Sequence, residues 1–116
     1  MGGLLSTPSS PTSEMTDALR KLITPDTILV LSKSYCSYCS STKRLLASLN
    51  LQNVNVLELD ERGDGRQLQD AAYELTNQST VPNIWIGTRH VGGNSDLQAL
   101  YKSGELGKII KAEGIN

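Results

Sequence analysis

The 116-residue chain contains two cysteines, and both lie in Cys36-Ser37-Tyr38-Cys39. That separation is close to one helical turn, so a helix starting here puts both thiols on one face, where they can close a small disulfide. Three other uses of the pair compete with this redox geometry. A structural zinc site takes four ligands, usually Cys and His, and beyond the pair the chain offers a single histidine, His90. A stabilising staple gains most from a long closed loop, and this one would be very short. An inert buried pair is the third. The spacing favours redox chemistry or thiolate ligation of a metal cluster.

Within a redox reading the two sulfurs differ. Unpaired N–H groups at a helix start stabilise negative charge, which makes Cys36 the attacking thiolate and leaves Cys39, one turn deeper, to resolve a mixed disulfide. Lys33, three residues earlier, adds a positive charge that would lower the Cys36 pKa further. Tyr38 reads as a partly exposed wall of the site. Downstream, Thr80-Val81-Pro82 precedes an apolar strand, and Pro82 allows a cis bond in a tight turn. A cis Pro82 would leave the Val81 backbone open to pair with an extended thiol peptide. Gly92-Gly93-Asn94-Ser95-Asp96 opens a helix whose first N–H groups can hold a carboxylate, although ordinary caps have the same composition.

Several elements must position these groups. Ala18, Leu19, Leu22 and Ile23 recur at helical spacing from Ser13 or Thr16, up to Thr24-Pro25-Asp26. Ile28 to Leu31 is a continuous apolar run, as expected of a central strand covered on both faces. Cys39, Thr42, Leu46 and Leu49 then step around a helix that Asn50 stops. Val54 to Leu59 reads as a second strand and Asp60 to Gly65 as a turn. Leu68, Ala71, Ala72 and Leu75 form a third helical stripe. Asn83 to Ile86, a turn at Gly87-Thr88-Arg89 and His90-Val91 read as a hairpin, which gives His90 a strand position and no catalytic task. Asn94 or Ser95 caps a helix with Leu97, Leu100 and Tyr101, and Leu106, Ile109 and Ile110 mark a last one. The order is α-β-α-β-α-β-β-α-α. A right-handed crossover makes the first two strands parallel and the hairpin adds antiparallel strands, a four-stranded mixed sheet flanked by helices, which is the thioredoxin-type α/β layout.

Bulk properties narrow the partners. Eleven Lys and Arg against twelve Asp and Glu leave a formal charge of -1, with no basic run, so nucleic acid is not expected. No apolar run reaches the roughly 20 residues that span a bilayer. Residues 1–13, rich in Ser, Thr, Pro and Gly, read as a flexible tail before a single domain at 14–116. Met1-Gly2 with Ser6 matches the pattern for N-myristoylation of Gly2, beside the plainer reading of a disordered leader. Membrane contact is expected only if Gly2 is acylated. The expected compartment is the cytoplasm, or an organelle or secretory lumen if a longer leader was removed.

From about Thr27 to Leu106 the chain resembles a glutaredoxin, through Lys33-Ser34-Tyr35-Cys36-Ser37-Tyr38-Cys39, Leu57-Glu58-Leu59-Asp60, Leu68-Gln69-Asp70, Thr80-Val81-Pro82-Asn83 and Gly92-Gly93-Asn94-Ser95-Asp96-Leu97. The resemblance implies a glutathione-dependent thiol-disulfide oxidoreductase acting on protein-glutathione mixed disulfides and protein disulfides. It implies Cys36 as nucleophile and Cys39 as resolving thiol. Glutathione would lie between them and Asp96: its glycine carboxylate on Lys33 and Gln69, its cysteinyl backbone on Val81 before Pro82, and its γ-glutamyl end on Gly93, Ser95 and Asp96, with Tyr38 and Thr80 lining the groove.

Two departures matter. Ser37 stands where the commonest dithiol form has proline, and in the family Ser or Gly here accompanies members that hold a [2Fe-2S] cluster between two subunits through the first cysteine and glutathione. An alternative role therefore follows, a cluster carrier or sensor with Cys36 as metal ligand, monomeric without cluster and a homodimer with it. Thr76-Asn77 replaces the usual Thr-Gly, which Asn tolerates because it can enter the left-handed region. A redox-dead interaction domain is the bland remainder, and Lys33, Gln69 and Asp96 argue against it.

Overall fold

The computed structural model describes residues 11–116, with side chains from Ser13 onward. Gly2 and Ser6 of the acylation pattern lie outside the described residues. In chain order the elements are helix α1 (Pro11–Leu22), strand β1 (Ile28–Ser32), α2 (Ser37–Ser48), β2 (Val54–Glu58), a 3-10 turn (Leu59–Glu61), α3 (Gly65–Thr76), β3 (Asn83–Ile86), β4 (Arg89–Gly92), α4 (Asn94–Ser103) and α5 (Glu105–Ala112).

The strand order is β2-β1-β3-β4. β1 runs parallel to β2 and antiparallel to β3, and β3 and β4 form the hairpin. All five residues of β1 are buried, because the strand has neighbours at both edges and helices on both faces. Alternation then splits the core in two. Ile28, Val30, Ile84 and Ile86 face Leu46 of α2, Leu97 of α4 and Leu106, Ile109 and Ile110 of α5. Leu29, Leu31 and Trp85 face Leu19 of α1 and Leu68, Ala71 and Ala72 of α3. This is the thioredoxin-type α/β layout, with the expected element order and four-stranded mixed sheet.

The boundaries differ in four places. α1 starts at Pro11, so residues 11–13 belong to a helix and not to the expected tail; a proline is tolerated at the first helical position, where its missing N–H has no intrahelical partner to lose. Leu59 ends neither strand nor ladder: it opens the 3-10 turn and is buried under α3. Arg89 lies in β4 opposite Ile86, leaving Gly87-Thr88 as the turn. The N-cap of α4 is Gly93 and not Asn94 or Ser95, because the Asp96 carboxylate accepts the Gly93 N–H at 2.9 Å. At the end of α3, Asn77 adopts the left-handed conformation at φ 63° and closes the helix as expected.

Candidate active site

β1 ends at Ser32, and its parallel neighbour β2 ends in register with it at Glu58. The chain then turns through Lys33 to Tyr35, where the Cys36 N–H donates to the Lys33 carbonyl at 3.1 Å. Ser34 pins this turn to the 3-10 turn: its N–H donates to Asp60 Oδ1 at 2.9 Å and its hydroxyl to Oδ2. Cys36 becomes the N-cap of α2, in extended conformation at φ -91° and ψ 121°. Its sulfur takes the place of a capping oxygen and accepts the Cys39 N–H at 3.3 Å.

The two thiols lie in different surroundings. Cys36 is half-buried at the surface, whereas Cys39 is 0% exposed. For Cys36, burial would raise the pKa, but hydrogen bonds from the Cys39 thiol and from the N–H groups of Cys39 and Tyr38, with the field of Lys43, outweigh it and hold the thiol below its usual range. Burial and its bond to Cys36 push Cys39 up, against hydrogen bonds with the Lys33 backbone and the Ser32 hydroxyl. One sulfur is prepared to ionise and its neighbour to stay protonated.

Across from Cys36 the Val81–Pro82 peptide bond is cis, and the Val81 carbonyl lies 3.9 Å from the Cys36 sulfur. The segment Ser79 to Pro82 separates two grooves. One, of about 410 Å³, is lined by Tyr38, Thr80, Val81, Pro82, Gly93, Asn94 and Ser95. The other, of about 870 Å³, is open and lined by Lys33, Arg66, Gln69, Asp70, Tyr73, Glu74 and Ser79. Gln69 Nε2 donates to the Ser79 carbonyl at 2.7 Å, fastening α3 to the segment. Of the predicted site residues, Lys33 and Gln69 line the larger groove and Tyr38, Thr80, Val81, Pro82, Gly93 and Ser95 the smaller; Cys36 lies against the Val81 carbonyl, Cys39 is buried behind it, and Asp96 stands beside the smaller groove as the partner of Gly93. Tyr38 is 68% exposed and lines the smaller groove.

A dithiol at a helix N-terminus, facing a cis-proline loop on this sheet, is matched by comparison with known proteins. The glutaredoxin family model matches residues 28–91. Glutaredoxin-1 of Rhizophagus irregularis is 44% identical over 100 residues, covering 86% of this chain and 98% of that one. The chain belongs to the glutaredoxin family. Glutaredoxin-C4 of Arabidopsis thaliana is 40% identical over 106 residues, with 91% and 78% of the two chains covered. A buckwheat glutaredoxin solved as its glutathione complex superposes with a TM-score of 0.85 at 31% identity, over 92% of this chain and 97% of that one. This glutaredoxin is accordingly a glutathione-dependent thiol-disulfide oxidoreductase, with Cys36 and Cys39 as its dithiol.

A cation that the motifs did not single out, Lys43, also acts on Cys36 in this glutaredoxin. The field of Lys43 helps to lower the Cys36 pKa. The reason is placement: Lys43 follows Cys36 by seven residues and Cys39 by four, which puts all three on one face of α2. That periodicity was available in the sequence. Gln78 is a second residue that the motifs did not single out. Its Nε2 donates to the carbonyls of Thr80 at 3.2 Å and Pro82 at 3.0 Å, bracketing Val81 from behind. His90 sits in β4 against Trp85 and bonds to Asn83 Oδ1 at 2.7 Å, a strand position as expected.

Proposed function

We propose that this glutaredoxin reduces protein-glutathione mixed disulfides, and protein disulfides, through Cys36. The observation that carries the reading is the Cys36 sulfur itself, accessible and held by the Cys39 N–H beside the grooves that the Val81 segment divides. The glutathione complex of the buckwheat relative supports the same ligand here.

The Cys36 thiolate attacks the glutathionyl sulfur of the substrate. The mixed disulfide breaks, the protein sulfur leaves as a thiolate that takes up a proton, and Cys36 becomes bonded to glutathione. A second glutathione thiolate then attacks the bound glutathionyl sulfur, releasing oxidised glutathione and restoring Cys36. In the alternative closing step Cys39 loses its proton and its thiolate attacks the Cys36 sulfur; the Cys36–glutathione bond breaks, reduced glutathione leaves and takes up the proton, and a Cys36–Cys39 disulfide forms, which two further glutathiones reduce. A low Cys36 pKa helps in both directions, as attacker and as leaving group. In this reading Lys33 and Gln69 hold the glycine carboxylate. The Val81 backbone pairs with the cysteinyl residue, Tyr38, Thr80 and Pro82 line its groove, and Gly93, Ser95 and Asp96 take the γ-glutamyl end.

The alternative, a cluster-bound dimer, has its support in Ser37 alone. A [2Fe-2S] cluster would need Cys36 from each of two subunits and thiolates from glutathione.

The deciding experiment pairs Cys36→Ser with Cys39→Ser in a glutathione-coupled assay. Cys36→Ser loses both activities. Cys39→Ser keeps reduction of a glutathionylated peptide and loses reduction of substrates that require the internal disulfide. Full deglutathionylation by Cys36→Ser would overturn the proposal.

A further inference from the structure

Beneath the dithiol lies an ion pair that the exchange mechanism does not use. Lys43 Nζ on α2 meets Glu58 Oε2 at the end of β2 over 2.7 Å, with side chains 30% and 22% exposed. The other ion pairs among the described residues have side chains at least 41% exposed. Glu58 Oε1 is buried with no hydrogen-bond partner, so Lys43 is the compensation this carboxylate has. Lys43 shares with Leu46, Ala47, Leu51, Val54 and Val56 the lining of an apolar cavity, and its ion pair with Glu58 sets where its charge sits.

Two registers aim the pair at the sulfurs. Helical side chains lean toward the N-terminus, so Lys43 lies over the turn that carries Cys39, whose Cα is about 6 Å back along the axis. Ser32 pairs with Glu58 in the parallel ladder, which places both side chains on one face of the sheet, and the Ser32 hydroxyl bonds to Cys39. The charged groups facing Lys43 are Glu58 from β2, Glu61 from the 3-10 turn and Cys39 from its own helix. Cys36 in turn faces Cys39, Lys43 and the Val81 carbonyl.

We propose that Lys43 and Glu58 are a charge-setting pair for the dithiol: Lys43 holds negative charge on the Cys36 sulfur, and Glu58 limits how strongly it does so. Both act through the sulfur and are positioning residues. The proposal rests on Cys36 as the attacking thiol, and direct alkylation reads its ionisation whether or not glutathione is the substrate, so the two readings fail separately.

The opposed signs give the test. The rate of Cys36 alkylation by iodoacetamide is followed from pH 4 to 10 by mass spectrometry on the reduced full chain, for wild type, K43M, K43R, E58Q and K43M/E58Q. K43M raises the midpoint by about half a pH unit, the shift expected of one charge at this range in a partly screened site. E58Q lowers it by a similar or smaller amount, because the oxygen of the introduced amide still accepts from Nζ while the opposing charge is gone. K43R stays near wild type. An E58Q midpoint that stays or rises, or a K43M midpoint that stays or falls, overturns the proposal. K43M strands the Glu58 charge and can fail to fold. K43M/E58Q strands none and then decides by comparison with E58Q: a midpoint above that of E58Q upholds the proposal, one equal to it or lower overturns it.

Discussion

The Cys39 N–H donates to the Cys36 sulfur over 3.3 Å, so the resolving residue helps to ionise the attacking one. The Cys39 thiol adds a second bond to the same sulfur. Each sulfur thereby moves the other apart in acidity: the Cys36 pKa falls and the Cys39 pKa rises.

The first expected outcome is a pH order. Cys36 is alkylated with a midpoint below that of an unperturbed thiol, and Cys39 reacts above it and slowly, because it is buried. The linkage has opposite signs. The depressed Cys36 pKa contributes stability present above its unfolded value and lost as pH falls through the folded value. The raised Cys39 pKa contributes stability present below its unfolded value and lost as pH rises through the folded one. Peptide-resolved alkylation between pH 5 and 10 reads the order, and a Cys39 midpoint below that of Cys36 contradicts it.

A second outcome concerns Gln78. Its two donations to Thr80 and Pro82 fix the carbonyls on either side of Val81. Gln78→Ala removes them and loosens the segment on which the substrate backbone is proposed to pair. A loss of about 1 kcal/mol in substrate binding from the loosened segment corresponds to a rise in KM of roughly fivefold with kcat nearly unchanged. Gln78→Glu, which cannot donate, behaves like alanine. Steady-state kinetics on a glutathionylated peptide separate this from general damage, which would lower kcat as well.

A third outcome is structural. Gly65 opens α3 so close to the 3-10 turn that an added Cβ would lie 1.8 Å from the Leu59 carbonyl oxygen. The obstacle is backbone, so Gly65→Ala must push α3 off Leu59 or break the turn that holds Asp60 against Ser34. Destabilisation of about 2–4 kcal/mol is expected from overpacking of this kind. Urea unfolding followed by circular dichroism measures it, and a midpoint within error of wild type contradicts the close approach.

Much of this was legible in the chain because the signals are local. The uninterrupted Ile28–Leu31 run announced a strand covered on both faces, and the Leu68, Ala71, Ala72 stripe announced a helix on one. Cys36 at a helix start followed from the strand before it and the periodicity after it. What was illegible depends on contacts between distant segments. Glu58 reaches Lys43 only because β1 and β2 pair in the register that sets Ser32 beside Glu58. Leu59 continues an apolar strand pattern, yet the chain turns there so that α3 can cover it. The cap of α4 escaped detection because the sequence offers Asn94 and Ser95, whereas the Gly93 N–H is satisfied from three residues downstream by Asp96.

That last bond carries the fourth outcome. Gly92 lies at φ 119°, a conformation that other residues rarely adopt, and an added Cβ would stand 2.3 Å from Asp96 Oδ2. Gly92→Ala therefore strains the backbone and drives the Asp96 carboxylate away from the Gly93 N–H. Two effects are expected together: a stability loss of about 1–3 kcal/mol from the strained residue, and a several-fold rise in KM as the carboxylate proposed to meet the γ-glutamyl amine is displaced. Asp96→Asn separates them. Its amide oxygen can still accept from Gly93, so the melting temperature stays near wild type while the charge is lost and KM rises. The Cys36 alkylation midpoint remains unchanged in both variants, since Asp96 is not among the groups that set it. If Asp96→Asn binds the glutathionylated peptide as well as wild type does, the carboxylate serves only as a helix cap and the γ-glutamyl end is held elsewhere.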